Sequence, residues 1–76
     1  MSDVGVFFKI GLITQGQTAE VWLEEGEVGS LFKTYQRVKN SMGSRYEEKT
    51  PFVTSDRYGR NMAIDLQQVS LIMVLE

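Results

Sequence analysis

The first twenty-five residues form two runs of alternating residues that mirror each other about Gly16, a pattern few folds accept. From Val4 to Ile13, the residues Val4, Val6, Phe8, Ile10 and Leu12 share one side of an extended chain. From Thr18 to Glu25, Ala19, Val21 and Leu23 do the same. A period of two marks a strand with one buried face. Thr14, Gln15, Gly16 and Gln17 interrupt the runs, which predicts a hairpin turning at Gly16. Pairing Ile13 with Thr18 sets Leu12 opposite Ala19, Ile10 opposite Val21 and Phe8 opposite Leu23, so the apolar sides coincide without adjustment. In that register Lys9 faces Trp22, where an ammonium over an exposed indole contributes roughly 0.5–1 kcal/mol.

The period then changes. Val28, Leu31, Phe32, Tyr35, Val38 and Met42 fall on one stripe of an α-helix. Ser30 or a neighbour is expected to cap its start, and Gly43 to take the left-handed position after its last turn. Lys33, Gln36, Arg37 and Asn40 line the opposite side, with Lys39 at the border. The stretch Ser44 to Thr50 is polar, and Pro51 favours an extended approach to a strand over Phe52 to Ser55. Asp56 to Arg60 reads as a turn, after which Met62, Ile64 and Leu66 alternate. At Gln67 and Gln68 the apolar phase slips to Val69, Leu71, Met73 and Leu75, which predicts a bulge or a short turn into a fifth strand.

This order predicts a single α+β domain over residues 1–76. Its plan is ββαββ(β), a four- to five-stranded, mainly antiparallel sheet with one helix packed on one face. By element order and chain length it resembles β-grasp domains, a resemblance that implies a last strand running parallel beside the first. A plain antiparallel sheet is the alternative. Leu75 and Glu76 stand where conjugated members of that family carry paired glycines, so no ubiquitin-like function is expected.

A chain of 76 residues buries only roughly 60–65% of the surface its unfolded form exposes. The corresponding stability is roughly 4–11 kcal/mol. Small domains commonly gain reinforcement from disulfides, metals or a second subunit. Cysteine and histidine are both absent, which removes the first and the usual soft ligands of the second and leaves oligomerisation. No metal and no cofactor is expected, and a cytoplasmic setting is compatible. Met1, Ser2 and Asp3 form no basic leader, so no signal peptide is expected. The run Leu71 to Leu75 is too short to span a bilayer, so no membrane partner is expected.

One helix can cover only one side of a sheet. In the final segment Leu71 and Met73 occupy one side and Ile72 and Val74 the other, while Phe7, Ile13 and Trp22 lie away from the main apolar stripe. Phe7, Ile13, Trp22, Ile72 and Val74 are therefore expected to form an outer apolar patch of the kind that marks an interaction site. Left open, so apolar a strand invites aggregation. A second copy related by a two-fold axis is the simplest cover, giving a homodimer or higher homo-oligomer. The alternatives are a sheet that curls on itself or a loop, residues 44–50, folded over the face.

Without His or Cys there is no imidazole acid or base and no thiolate nucleophile. Glu24, Glu25, Glu27, Glu47 and Glu48 suit a carboxylate-pair mechanism by type. The first three, however, stand where acids complement a helix dipole, so a non-enzymatic module is expected. Gly26 to Ser30 opens a helix after a strand, yet it matches no phosphate-loop spacing, and nearby glutamates would repel an anion. Seven of the eight basic residues lie between Lys33 and Arg60. Lys33 and Arg37 are one helical turn apart, and Arg57 and Arg60 flank Tyr58, a combination suited to phosphate contact and base stacking. Nucleic-acid binding through Lys33, Arg37, Arg57, Tyr58 and Arg60 is the alternative function. It is weakened by Glu47, Glu48 and Asp56 and by a net charge of −2. A small-molecule site between subunits is a third possibility.

Overall fold

The computed structural model describes residues 5–75, so Met1 to Val4 and Glu76 lie outside the described residues. The elements follow in the order β1 (Phe7–Thr14), β2 (Gln17–Glu24), α1 (Glu25–Ser41), β3 (Phe52–Ser55), β4 (Asn61–Ile64) and β5 (Leu71–Val74). The first hairpin has the register that its alternation requires, with Ile13 opposite Thr18, Ile10 opposite Val21 and Phe8 opposite Leu23. Its loop is the pair Gln15 and Gly16, at φ of 46° and 83°. Two successive left-handed residues match the twist of the flanking strands. Glycine adopts that conformation without penalty, whereas Gln15 does so against its preference.

β2 passes into α1 without a loop. The helix starts at Glu25, so Ser30 lies within it and is not its cap. The N-cap is Glu24, which makes no side-chain capping bond. The Glu25 amide donates instead to the Val6 carbonyl at 2.9 Å, satisfying an orphan amide at the helix start. Glu25 and Glu27 in the first turn and Lys39 in the last complement the dipole. Leu31 and Val38 are buried, with Val28, Phe32 and Tyr35 packed beside them. Met42, expected to complete this stripe, is the C-cap and is exposed. Gly43 follows at φ 84°, in the expected left-handed position.

β3 and β4 pair antiparallel, with Phe52 opposite Ile64 and Thr54 opposite Met62. The slip at Gln67 and Gln68 is a turn into a fifth strand. The Gln68 amide donates to the Asp65 carbonyl at 3.1 Å and the Gln67 amide to Asp65 Oδ1 at 3.1 Å. The Ser70 amide then reaches the Ile13 carbonyl at 2.8 Å. β5 thus begins where β1 ends, and must run back along it. The pairing is antiparallel, with Leu12 opposite Ile72 and Ile10 opposite Val74. The parallel first-to-last pairing of a β-grasp domain is not formed.

The five strands divide into two sheets, ordered β2-β1-β5 and β3-β4, because β5 leaves β4 to join β1. The helix and the second hairpin both lie on the same side of the three-stranded sheet. Ile10, Leu12, Leu23 and Ile72 from that sheet meet Leu31 and Val38 from α1 and Leu66 and Val69 from the connecting turn. Phe8, Val21, Phe52, Met62 and Ile64 extend the core. Each fully buried aliphatic side chain contributes roughly 1.5–3 kcal/mol, a large fraction of the total for a domain this small.

Candidate interaction surface

The register assigns side chains to faces. Phe8, Ile10 and Leu12 point to the core, so Phe7, Lys9, Gly11 and Ile13 point outward, as do Glu20, Trp22 and Glu24 opposite them on β2. On β5, Leu71 opposes Ile13 and Met73 opposes Gly11, which puts both on the outer face. Leu71 and Met73 are 44% and 39% exposed. Leu75 continues the row. Its amide donates to the Lys9 carbonyl at 2.7 Å, and its side chain covers Gly11, where an added Cβ would come within 3.3 Å of Leu75 Cδ1. Lys9 Nζ lies 3.2 Å from Glu20 Oε1. A guanidinium stacks on the Trp22 indole, that of Arg57, 4.4 Å from the ring centroid.

Three of the five residues expected to form the outer patch, Phe7, Ile13 and Trp22, share this face. Ile72 and Val74 do not. Ile72 is buried in the core at 8% exposure, and Val74 shares its side of the sheet. Their places are taken by Leu71 and Met73, with Leu75 beyond. The pairing of Ile13 with Leu71 decides the parity. In a strand apolar on both sides, alternation cannot distinguish the faces.

At its Phe7 end the outer face borders a cleft shared with Glu27 of α1 and with Thr54 to Asp56, while Leu71, Met73 and Leu75 at its β5 side are exposed. The polar loop after α1 is tied to the helix end. Arg37 forms a two-pronged bond to Glu48, Nε donating to Oε1 at 3.1 Å and Nη2 to Oε2 at 2.8 Å. The Glu48 amide donates to Ser41 Oγ at 2.8 Å, and the Gly43 amide to Glu47 Oε2 at 2.7 Å. Hydrogen bonding to Glu48, and then its charge, push the Arg37 pKa above the ordinary arginine value.

The turn from Asp56 to Arg60 gathers the other basic candidates. Asp56 Oδ1 accepts the amides of Tyr58 and Arg60, each at 2.9 Å, and Oδ2 accepts Arg60 Nε at 2.7 Å. Burial alone would raise the Asp56 pKa. The hydrogen bonds from Arg60 and Tyr58, with the Arg60 charge, outweigh burial and hold it below the usual carboxylate value. The Arg57 and Arg60 guanidinia lie 5.1 Å and 5.2 Å from the centroid of the exposed Tyr58 ring. Arg57, Tyr58 and Arg60 thus form one cluster. Arg37 is engaged by Glu48, and Lys33 is exposed on the helix. Asp56 was not singled out by sequence reasoning as the residue that organises this turn, although an Asp two residues before the chain reverses is its ordinary signal.

Two clefts flank these features. One, of about 540 Å³, separates the sheets between Leu12 and Val21 on one side and Met62 and Ile64 on the other. The Gln15-to-Gln68 hydrogen bond, 3.1 Å, joins the two turns whose glutamines also line it. The other, of about 390 Å³, is lined by Phe7, Glu24, Glu27, Thr54, Ser55 and Asp56. Two of its three acids are engaged, since Glu27 accepts the buried Thr54 hydroxyl at 2.6 Å and Asp56 serves its own turn.

No family model, curated protein or solved structure matches this chain. Among the described residues no helix is long and apolar enough to cross a membrane.

Proposed function

We propose that this protein is a non-enzymatic interaction module that associates with a second copy of itself through the outer face of its three-stranded sheet. The observation that carries this reading is the exposed apolar row Leu71, Met73 and Leu75 beside Ile13. Phe7 and Trp22 extend it across the sheet. A surface this apolar on so small a domain is a liability unless it is covered. A two-fold partner presents the same apolar row, so the face suits a copy of itself. A cytoplasmic setting belongs to the same reading and is compatible with a chain that has no cysteine. Light scattering after size exclusion, across a dilution series, tests it. We expect a mass of at least twice 8.7 kDa at high micromolar concentration, falling on dilution. A constant single-chain mass would refute the reading.

A second reading, nucleic-acid binding, is favoured by one observation, the exposed Tyr58 ring flanked by Arg57 and Arg60. Such binding would weaken steeply with salt. No binding of single-stranded RNA or DNA at low ionic strength would remove it.

A further inference from the structure

The two edges of the three-stranded sheet are treated differently. At the β2 edge, the Trp22 carbonyl accepts the Arg57 amide at 3.1 Å, so the turn of the second hairpin closes part of that edge, and Glu20 and Glu24 add charge along the strand. Among the described residues β5 forms the other edge. Because the Leu75 amide donates to Lys9, the antiparallel alternation turns the backbone groups of Leu71 and Met73 toward β1 and those of Ile72 and Val74 outward. The outward groups stand on a strand without charge or proline, the two commonest guards of an exposed edge. Its side chains are apolar on both faces, and Val74, on the core side of the sheet, is still 51% exposed.

We propose that β5 pairs antiparallel with β5 of a second copy, about a two-fold axis through Met73, joining two three-stranded sheets into one of six strands. Ile72 then opposes the partner's Val74 and Val74 the partner's Ile72, so the four outward backbone groups on each strand are satisfied by four hydrogen bonds. Met73 opposes its own copy, and Leu71 opposes the partner's Leu75. Every opposed pair is apolar and none carries charge, so the strand complements itself, whereas a charged extended peptide would bury charge against this row. The pairing also covers Val74 and brings the rows Leu71, Met73 and Leu75 of both copies side by side. It uses the edge of the sheet and not its outer face, and it stands or falls independently of the face contact.

Two variants test the edge and one separates it from the face. Val74→Pro deletes an outward amide that β1 does not use, which an edge strand tolerates. It should weaken self-association at least tenfold while circular dichroism is unchanged. Met73→Cys places a single thiol at the axis, where the Cα atoms of a non-hydrogen-bonded pair approach to about 4.5 Å, within disulfide range. Mild oxidation should convert it to a disulfide dimer at least tenfold faster than Ala63→Cys, which places a thiol at an exposed site on β4. Trp22→Glu, remote from β5, should leave Met73→Cys cross-linking intact. If Val74→Pro associates like the unaltered protein, or Met73→Cys cross-links no faster than Ala63→Cys, the edge pairing is wrong. If Trp22→Glu alone disrupts association, the edge pairing is wrong and the face contact stands.

Discussion

The two faces of the three-stranded sheet are built from the same three strands and have opposite fates. The inner face receives the helix and the second hairpin, and its central side chains, Ile10 and Leu23, have no exposed surface. The outer face receives the Arg57 guanidinium over Trp22 and the Leu75 side chain over Gly11, and at Phe7 it borders the cleft lined by Glu27 and by Thr54 to Asp56. Both faces are nonetheless apolar along β5. A single helix and a hairpin of two four-residue strands pack on one side of this sheet. The other side keeps an exposed apolar row, Leu71, Met73 and Leu75, the feature on which the proposed self-association rests.

The largest effect should come from the covered side. Leu31→Ala, at a fully buried helix position, should cost about 2–5 kcal/mol, read as a lower urea midpoint with little change in slope. That is a large part of the roughly 4–11 kcal/mol available to a chain of this length. On the open side, Trp22→Glu should instead leave monomer stability within about 1 kcal/mol, because Arg57 is at hand to pair with the new carboxylate. Its effect should be a weaker face contact, by at least tenfold in dissociation constant, read in a light-scattering dilution series on a Val74→Pro background so that edge pairing does not hold the copies together. If this variant unfolds the monomer, the outer face is part of the core and the contrast collapses.

Acid should act on the turn that bridges the two sheets. The Asp56 pKa is lowered in the folded protein, so its contribution is present above the unfolded carboxylate value of about 3.9 and is lost as pH falls through the lower folded value. Urea midpoints measured from pH 6 to pH 2 should therefore decline at the acid end. Asp56→Asn should be less stable at pH 6 and show a shallower decline, whereas parallel curves would contradict the assignment. The smallest change should be a gain. Gln15→Asn gives up the exposed bond to Gln68 but relieves a left-handed residue at φ 46°, and the net should be a gain of no more than about 0.5 kcal/mol without altered association, as asparagine suits this turn.

Much of the fold was legible in the sequence. The first hairpin could be read to the residue because only one side of it is strongly apolar, so a slipped register would expose the whole set. The helix was legible for the same reason, while its start was not. The signal sought was a side-chain cap at Ser30, whereas the amide of Glu25 is satisfied by the Val6 carbonyl, a tertiary contact that no local motif encodes. The division into two sheets and the direction of β5 were equally hidden, since both depend on where Ser70 docks on Ile13. The candidate face was legible in part. Phe7, Ile13 and Trp22 followed from the hairpin, but the choice between Leu71 with Met73 and Ile72 with Val74 rests on a pairing with β1 that a strand apolar on both sides does not announce.

Trp22 is the sole tryptophan of the chain and stands on the face in question, so its fluorescence reports directly on whether that face meets a partner. Emission and iodide quenching should be followed through the dilution range in which the mass falls to that of one chain. The account predicts a red shift and stronger quenching on dilution, with the same midpoint as the change in mass. A spectrum and quenching constant that stay fixed while the mass halves would show that the copies meet elsewhere, and would contradict the assignment of the outer face.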